Sequence, residues 1–437
     1  MSVALAHTPE FKTRRLLNWF PLGIGYAFLY MGRYSFIPAK QDLADLITSQ
    51  EQGLIGMAGA ITYGVAFFLN GPLTEKLGGR FAMLMATAGS ALVNLMIGVM
   101  LWQKWTTHFV PAYGVLIALN MYFQSYAAIA IVKVNAAWFH VQERGVFGGL
   151  FGIMISSGLF LAYSLQPAFM KYLFPGSPSM YFIIPALVLA VAFVATILLI
   201  RNTPEDAGLG AFDTGSANDF DTTGKASTFD IFKKLLSHRV VMTIAFMELC
   251  TGVLRDGMNY WFGDWAKQSA VPGIRVWLGV GLFLAGIGGG LVAGYLSDKV
   301  FQSRRPPVAG LLYGVMSVLS VVMFIAMATL APNSVVLPYV LFACVVGGAF
   351  CVIGTHGVLS GASTADFGGK NATAIVVGVI DGFVYLGVAI QSVCLGFLTS
   401  KSWTYWGLFL LPFALIGLLL STRIWTALPA RSKAGAH

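Results

Sequence analysis

Twelve apolar stretches, each long enough to cross a bilayer as one helix, constrain this chain more than any other feature of its sequence. Runs of at least about 18 apolar residues mark membrane spans, because a hydrocarbon core about 30 Å thick takes about 20 residues of helix. They run roughly from 17 to 38, 53 to 74, 81 to 103, 109 to 138, 145 to 170, 180 to 200, 240 to 266, 274 to 297, 308 to 331, 335 to 362, 372 to 399 and 403 to 425. Only 10% of the 437 residues are charged and 57% are hydrophobic, whereas a soluble domain is about 25% charged. The sequence therefore predicts an all-α membrane protein with twelve transmembrane helices.

The formal net charge of +9 would suggest nucleic acid in a soluble domain, but in a membrane protein the basic residues are first sorted by side. Eighteen of the 27 lie on the side shared by both termini, including Lys12, Arg14, Arg15, Lys76, Arg80, Arg144, Arg201 and Arg239. Six lie on the other side, and three, Arg33, Lys133 and Arg255, lie inside spans. This asymmetry predicts a multi-pass protein of the cell (inner) membrane with both termini cytoplasmic. Its surroundings are the lipid bilayer and not nucleic acid. The basic start leads into a full-length span without a small-residue cleavage pattern, so the first helix is expected to be retained. Cys250, Cys344, Cys351 and Cys394 all fall in spans without CxxC spacing and read as small packing residues, not as a disulfide or metal framework.

Six spans precede the longest polar stretch, residues 201–238, and six follow it. That stretch reads as a cytoplasmic linker with an amphipathic helix at its end. It separates an N-terminal six-helix bundle, residues 1–200, from a C-terminal one, residues 239–437. Repeats relate the two: GPLTE at 71–75 and GYLSD at 294–298 stand 223 residues apart, as do ERG at 143–145 and DFG at 366–368. Arg33 and Arg255 differ by 222, and Lys133 falls on His356 at 223. Two pseudo-symmetric, parallel halves with a midplane site between them resemble the major facilitator fold. Helices 1, 4, 7 and 10 line the cavity of that fold, and all four basic residues lie on those spans.

An arginine in hydrocarbon costs at least about 2.5–3.5 kcal/mol, so each one implies a cavity, a counter-charge or an anionic ligand. Tyr26, Tyr30 and Arg33 are spaced four and three apart and share a helix face. A guanidinium flanked by phenols can grip a tetrahedral oxyanion. On span 7, Glu248, Arg255 and Asn259 share a face, while Asp256 projects about 100° away from Arg255. The two arginines are read as approaching one doubly charged anion from opposite halves, with Lys133 as a third positive charge and His356 as a donor. Phosphate esters suit this arrangement, carrying about −1.5 to −2 charge and three acceptor oxygens. Glu248, Asp256 and Asp381 are candidate proton or counter-charge groups. The alternative is that each base pairs with one of these acids and only stabilises the bundle. No nucleotide loop and no nucleophile with a base is visible, so an enzyme is not expected.

The segment GPLTEKLGGR at 71–80 resembles the short signature of major facilitators between helices 2 and 3, with Glu75 where Asp is usual. Its partner GYLSDKVFQSRR keeps Asp298. A carboxylate there caps a helix or pairs with a base, so Glu75, Arg80, Arg144 and Asp298 are read as a cytoplasmic gate. Further motifs follow in order: YMGRYSF around Arg33, TYG at Tyr63, VKVNAAWFHVQERG at Lys133, PEDAGL after span 6 and LRDGMNYWFGDW around Arg255. IGTHGVLSGASTADFGGKNATA and VIDGFVYLG close the series near spans 10 and 11. With these motifs the chain resembles the organophosphate:phosphate antiporter family, which includes glycerol-3-phosphate, hexose-phosphate and sugar-phosphate exchangers.

The resemblance implies exchange of an organophosphate for inorganic phosphate by alternating access, with no cofactor; a monomer is expected. It matches Arg33 and Arg255 to the two phosphate-gripping arginines, Tyr26 and Tyr30 to tyrosines of the same helix, and His356 to a helix-10 histidine. Lys133 sits where relatives carry Lys or Arg, and Tyr63 and Asn259 join the substrate-binding set. Tyr34 replaces a Lys that often follows the first arginine, Phe67 stands in place of a helix-2 Lys, and helix 5 lacks a histidine. These departures leave the organic part of the substrate open. Two alternatives remain: a proton-coupled symporter of an organic carboxylate, and a transporter-like sugar-phosphate sensor.

Overall fold

The computed structural model describes residues 7–39, 47–105, 107–140, 144–214, 228–302 and 304–426, and each apolar stretch is helical within them. The long helices are α1 (Pro9–Tyr34), α2 (Ser49–Leu77), α3 (Gly79–Trp102), α4 (Phe109–Trp138), α5 (Arg144–Phe160) and α6 (Met180–Leu199), followed by α7 (Arg239–Ala266), α8 (Leu278–Tyr295), α9 (Arg305–Thr329), α10 (Val336–His356), α11 (Ser363–Lys401) and α12 (Tyr405–Arg423). Local chemistry sets their starts. Pro9 opens α1 behind a Thr8 cap, and Thr48 with Glu51 closes a reciprocal capping box on α2, each satisfying backbone N–H groups that the first turn leaves free. Wider π-helical turns follow three helices: Leu161–Leu165 after α5, Leu296–Val300 after α8 and Gly357–Ala362 after α10.

Among the described residues, ten helical segments are long and apolar enough to cross a membrane, so the chain is an all-α, multi-pass membrane protein. α1 and α7 have the length, at 26 and 28 residues, but not the apolarity. α7 buries Glu248, Thr251, Arg255, Asp256 and Asn259, and α1 buries Asn18 and Arg33. The two most polar long helices are the ones that carry the candidate site. The outside is the reverse: Leu92, Val191, Leu284, Val318 and Leu419 are exposed, as lipid-facing residues are.

The two sequence halves meet mainly through α2 with α11 and α5 with α8. The α2–α11 contact runs the length of both helices, from Gly53 beside Ser392 and Gly396 to Gly71 beside Ala374. The end of the bundle near Gly71, the linker end, also holds the start of α1 and residues 201–214 and 228–238; the opposite end is the far end. Thr228–Ser237 forms a short helix that leans on α7 and α11. Within the second half, α7 and α11 touch backbone to backbone. A Cβ on Gly252 would stand 1.9 Å from the Val384 carbonyl oxygen, so only glycine fits. That approach brings Arg255, three residues on, level with Tyr385.

Candidate functional site

Arg33 lies in the last turn of α1 and Arg255 about two-thirds of the way along α7; both are buried. Arg33 uses every nitrogen of its guanidinium. Nε donates to Gln124 Oε1 of α4 at 2.7 Å, Nη1 to the Tyr385 hydroxyl of α11 at 2.5 Å, and Nη2 to the Tyr63 hydroxyl of α2 at 2.8 Å. Its guanidinium carbon also lies 4.6 Å from the centre of the Tyr30 ring and 4.7 Å from that of Tyr63. None of these partners is an acid, so ring faces and neutral acceptors hold the charge. Arg255 differs. Its Nε donates to Asp256 Oδ1 at 3.0 Å, whereas its Nη2 is buried without an acceptor. One turn on, Asn259 Oδ1 is buried without a donor.

The Tyr385 ring stands between the two arginines, its centre 5.8 Å from the Arg33 guanidinium carbon and 5.2 Å from that of Arg255. It stacks on Tyr63 at 3.8 Å. Beside Arg33 lies a cavity of about 70 Å³ lined by Arg33, Tyr34, Asp256, Tyr260, Tyr385 and Gln391 among others. A pocket that encloses a small molecule is several times larger, so in this conformation the phenol fills the position between the cations.

Toward the far end lies a cavity of about 580 Å³ whose lining includes Lys171, Lys267, Arg275 and Asp264. Tyr163 forms part of its wall, and the Tyr163 ring lies 5.8 Å from that of Tyr34, which walls the inner cavity. The Tyr34 hydroxyl donates to Asp256 Oδ1 at 3.2 Å, which joins α1 to α7 beside the arginines. At the linker end, Glu75 makes the corresponding link. One of its oxygens pairs with Lys133, and the other accepts from the Ala374 N–H of α11 at 3.2 Å.

Lys133 and His356, expected beside the arginines, are engaged elsewhere. Lys133 stands nine residues beyond Gln124 on α4, which is about 13 Å along a helix, too far for its amine to join the same ring of contacts. His356 Nδ1 lies 2.7 Å from Glu248 Oε2, and Glu248 precedes Arg255 by seven residues, about 10 Å. The counter-charge of Arg255 is therefore Asp256 and not Glu248. A long guanidinium side chain bridges the angle of about 100° between adjacent helical positions, so of the candidate counter-charges Glu248, Asp256 and Asp381 it is Asp256 that pairs with Arg255. Tyr30 offers its ring face to Arg33, with Tyr26 packed edge-on against it at 5.2 Å; the phenols that bond Arg33 are those of Tyr63 and Tyr385. Asp381 accepts from Ser360.

Of the remaining gate candidates, Asp298 pairs with Arg305 at 2.6 Å. Arg80 donates to the Ile197 carbonyl at 2.6 Å. Both contacts stay within one half. Arg144 opens α5, and its side chain lies outside the described residues. Gln124 and Tyr385 were not singled out from the sequence. Two amides one turn apart in the middle of an apolar span, Asn120 and Gln124, were the available signal for Gln124, and Tyr385 sits inside the VIDGFVYLG motif without a role assigned.

A family model described as Major Facilitator Superfamily matches residues 22–390. The chain is 25% identical to the glycerol-3-phosphate transporter of Bacillus subtilis (strain 168), over 95% of this chain and 93% of that protein. It is likewise 25% identical to a probable hexose phosphate transport protein of Chlamydia muridarum, over 96% and 92% of the two chains. The membrane sensor protein UhpC of Escherichia coli (strain K12) is 25% identical over 84% of this chain and 82% of its own length.

Proposed function

This chain belongs to the major facilitator superfamily, and from that premise we propose that it exchanges an organophosphate, of the sugar-phosphate or glycerol-phosphate type, for inorganic phosphate by alternating access. The observation that carries this reading is the bonding of the buried pair. Arg33 has no acid among its bonding partners, and Arg255 keeps one donor free. A buried cation held only by neutral groups favours an anion in its place of contact. A phosphoryl group supplies the acceptors that the free donors lack.

In this mechanism the two six-helix bundles, residues 1–200 and 239–437, rock about a site between Arg33 and Arg255. An entering phosphate displaces the Tyr385 hydroxyl from Arg33 Nη1 and accepts from Arg255 Nη2, with Asn259 beside it to receive a substrate hydroxyl. Tyr34 with Asp256 closes the outer side, and Glu75, held by Lys133, closes the cytoplasmic side against Ala374. The basic outer cavity lined by Lys171, Lys267 and Arg275 draws anions toward the entrance. In the empty carrier Arg33 has no acid among its bonding partners and is tied across the halves to the Tyr385 hydroxyl, so reorientation is slow and exchange is favoured over one-way transport.

Proteoliposomes loaded with inorganic phosphate provide the test. Exchange predicts that internal phosphate drives organophosphate uptake and that an imposed pH gradient alone does not. Carboxylate uptake driven by the pH gradient would replace this reading with the symporter, and tight phosphate-ester binding without flux would replace it with a sensor.

A further inference from the structure

Between the arginines and the linker end, three titratable side chains from three helices form one buried cluster. Glu248 of α7 is fully buried, with Oε2 bonded to His356 Nδ1 of α10 at 2.7 Å and Oε1 left without a hydrogen-bond partner. Asp381 of α11 accepts from Ser360, which lies on the π-helical turn following α10. Asp381 and Arg255 also lie within electrostatic reach of His356. Cys250 of α7 and Tyr313 of α9 also lie within electrostatic reach of Glu248. A fully buried carboxylate with an unused oxygen, one bond from an imidazole, is a place where a proton can be added without moving the backbone.

The balance of buried charge gives that proton a role. Asp256 offsets Arg255, which leaves Arg33 to be set against Glu248 and Asp381. With His356 protonated the buried set is neutral; with His356 neutral it carries one negative charge. A phosphate dianion arriving at the arginines adds two more in a poorly screened interior, about 10 Å from Glu248 along α7. At the effective dielectric of a protein, each unit of charge at that distance changes a proton-binding constant by about tenfold. We infer that the Glu248–His356–Asp381 cluster is a proton site linked to the anion site, so that each anion bound draws about one proton into the second half of the chain. The inference rests on the anion-binding reading above. By reciprocity, raising the pH weakens anion binding.

Calorimetric titration of the purified full chain with inorganic phosphate at pH 7, in two buffers of different ionisation enthalpy, counts the protons exchanged per anion. Phosphate itself titrates near neutrality, so the wild type is compared with the Glu248→Gln/His356→Gln double variant, in which the ligand's own contribution is unchanged. The wild type should take up about one more proton per phosphate than the variant. An equal count in both overturns the linkage. A binding failure in the wild type instead removes the anion reading on which the linkage stands. Should the double variant not fold, infrared difference spectra of the wild type on phosphate addition decide the matter. New carboxylic-acid or imidazolium bands support the linkage, and a difference spectrum without either overturns it.

Discussion

Arg33 and Arg255 are both buried guanidinium groups, yet they use their donors differently, and lysine substitution separates the two uses. Arg255→Lys keeps the charge beside Asp256 but removes the planar fork. The donor lost, Nη2, bonds nothing in the unliganded protein, so stability should change by less than about 1 kcal/mol. Once an anion is bound, a hydrogen bond to a charged group is worth about 1.5–3 kcal/mol, which raises the phosphate Kd by about 10- to 150-fold. Arg33→Lys reverses the pattern. Its three side-chain bonds of 2.5–2.8 Å already exist without ligand, and an ammonium retaining one strands two acceptors, at a loss of about 2–6 kcal/mol. Thermal denaturation in detergent reads the stability, and calorimetric phosphate titration reads the affinity. An Arg255→Lys protein that melts as early as Arg33→Lys yet binds phosphate like the wild type would refute the claim that Nη2 is reserved for a ligand.

Tyr385→Phe keeps the ring between the cations but frees Arg33 Nη1, so phosphate should bind about tenfold more tightly; weaker binding in equilibrium dialysis would mean that the phenol contacts the anion. Glu75→Gln loses the pairing with Lys133 and weakens the contact with Ala374, so a cysteine placed at the linker end should label several-fold faster, and an unchanged rate would remove Glu75 from the gate. Gly53→Ala places a Cβ 2.7 Å from the Ser392 carbonyl oxygen and Gly378→Ala one 2.6 Å from that of Phe67, each overpacking α2 against α11 by about 1–3 kcal/mol. The first should favour opening at the far end and the second at the linker end. Shifts in the same direction, measured by paired accessibility of introduced cysteines, would contradict the rocking motion.

Helix positions were legible because a bilayer-length apolar run leaves the backbone few alternatives. α7 was legible as a span-length stretch despite Glu248, Arg255, Asp256 and Asp264, although these leave it less apolar than the ten clearest spans among the described residues. Arg33 and Arg255 stood out for the same reason in reverse. What could not be read was rotation and depth: which face of α4 meets α1, and that Gly252 lets α11 approach α7 closely enough to insert Tyr385. Lys133 matched His356 by repeat offset, yet Lys133 pairs with Glu75 and His356 with Glu248. A repeat conserves height along the bundle better than it conserves partners, because each half meets a different set of neighbouring side chains.

Tyr385 also bears on why such a carrier would exchange and not leak. The residue belongs to the second half, and its hydroxyl bonds Arg33 of the first. In the proposed rocking cycle, an empty carrier must break that bond, leaving a buried guanidinium donor unpaired at a loss of about 1–3 kcal/mol or more. It must also draw Arg33 away from a ring face that helps to stabilise it. An anion removes this obstacle. It takes over Arg33 Nη1, satisfies Arg255 Nη2, and travels with both groups as the halves reorient, so no donor is stranded along the way. The phenol then acts as a tethered stand-in for the phosphoryl group, adequate to hold the resting state together but unable to follow the motion.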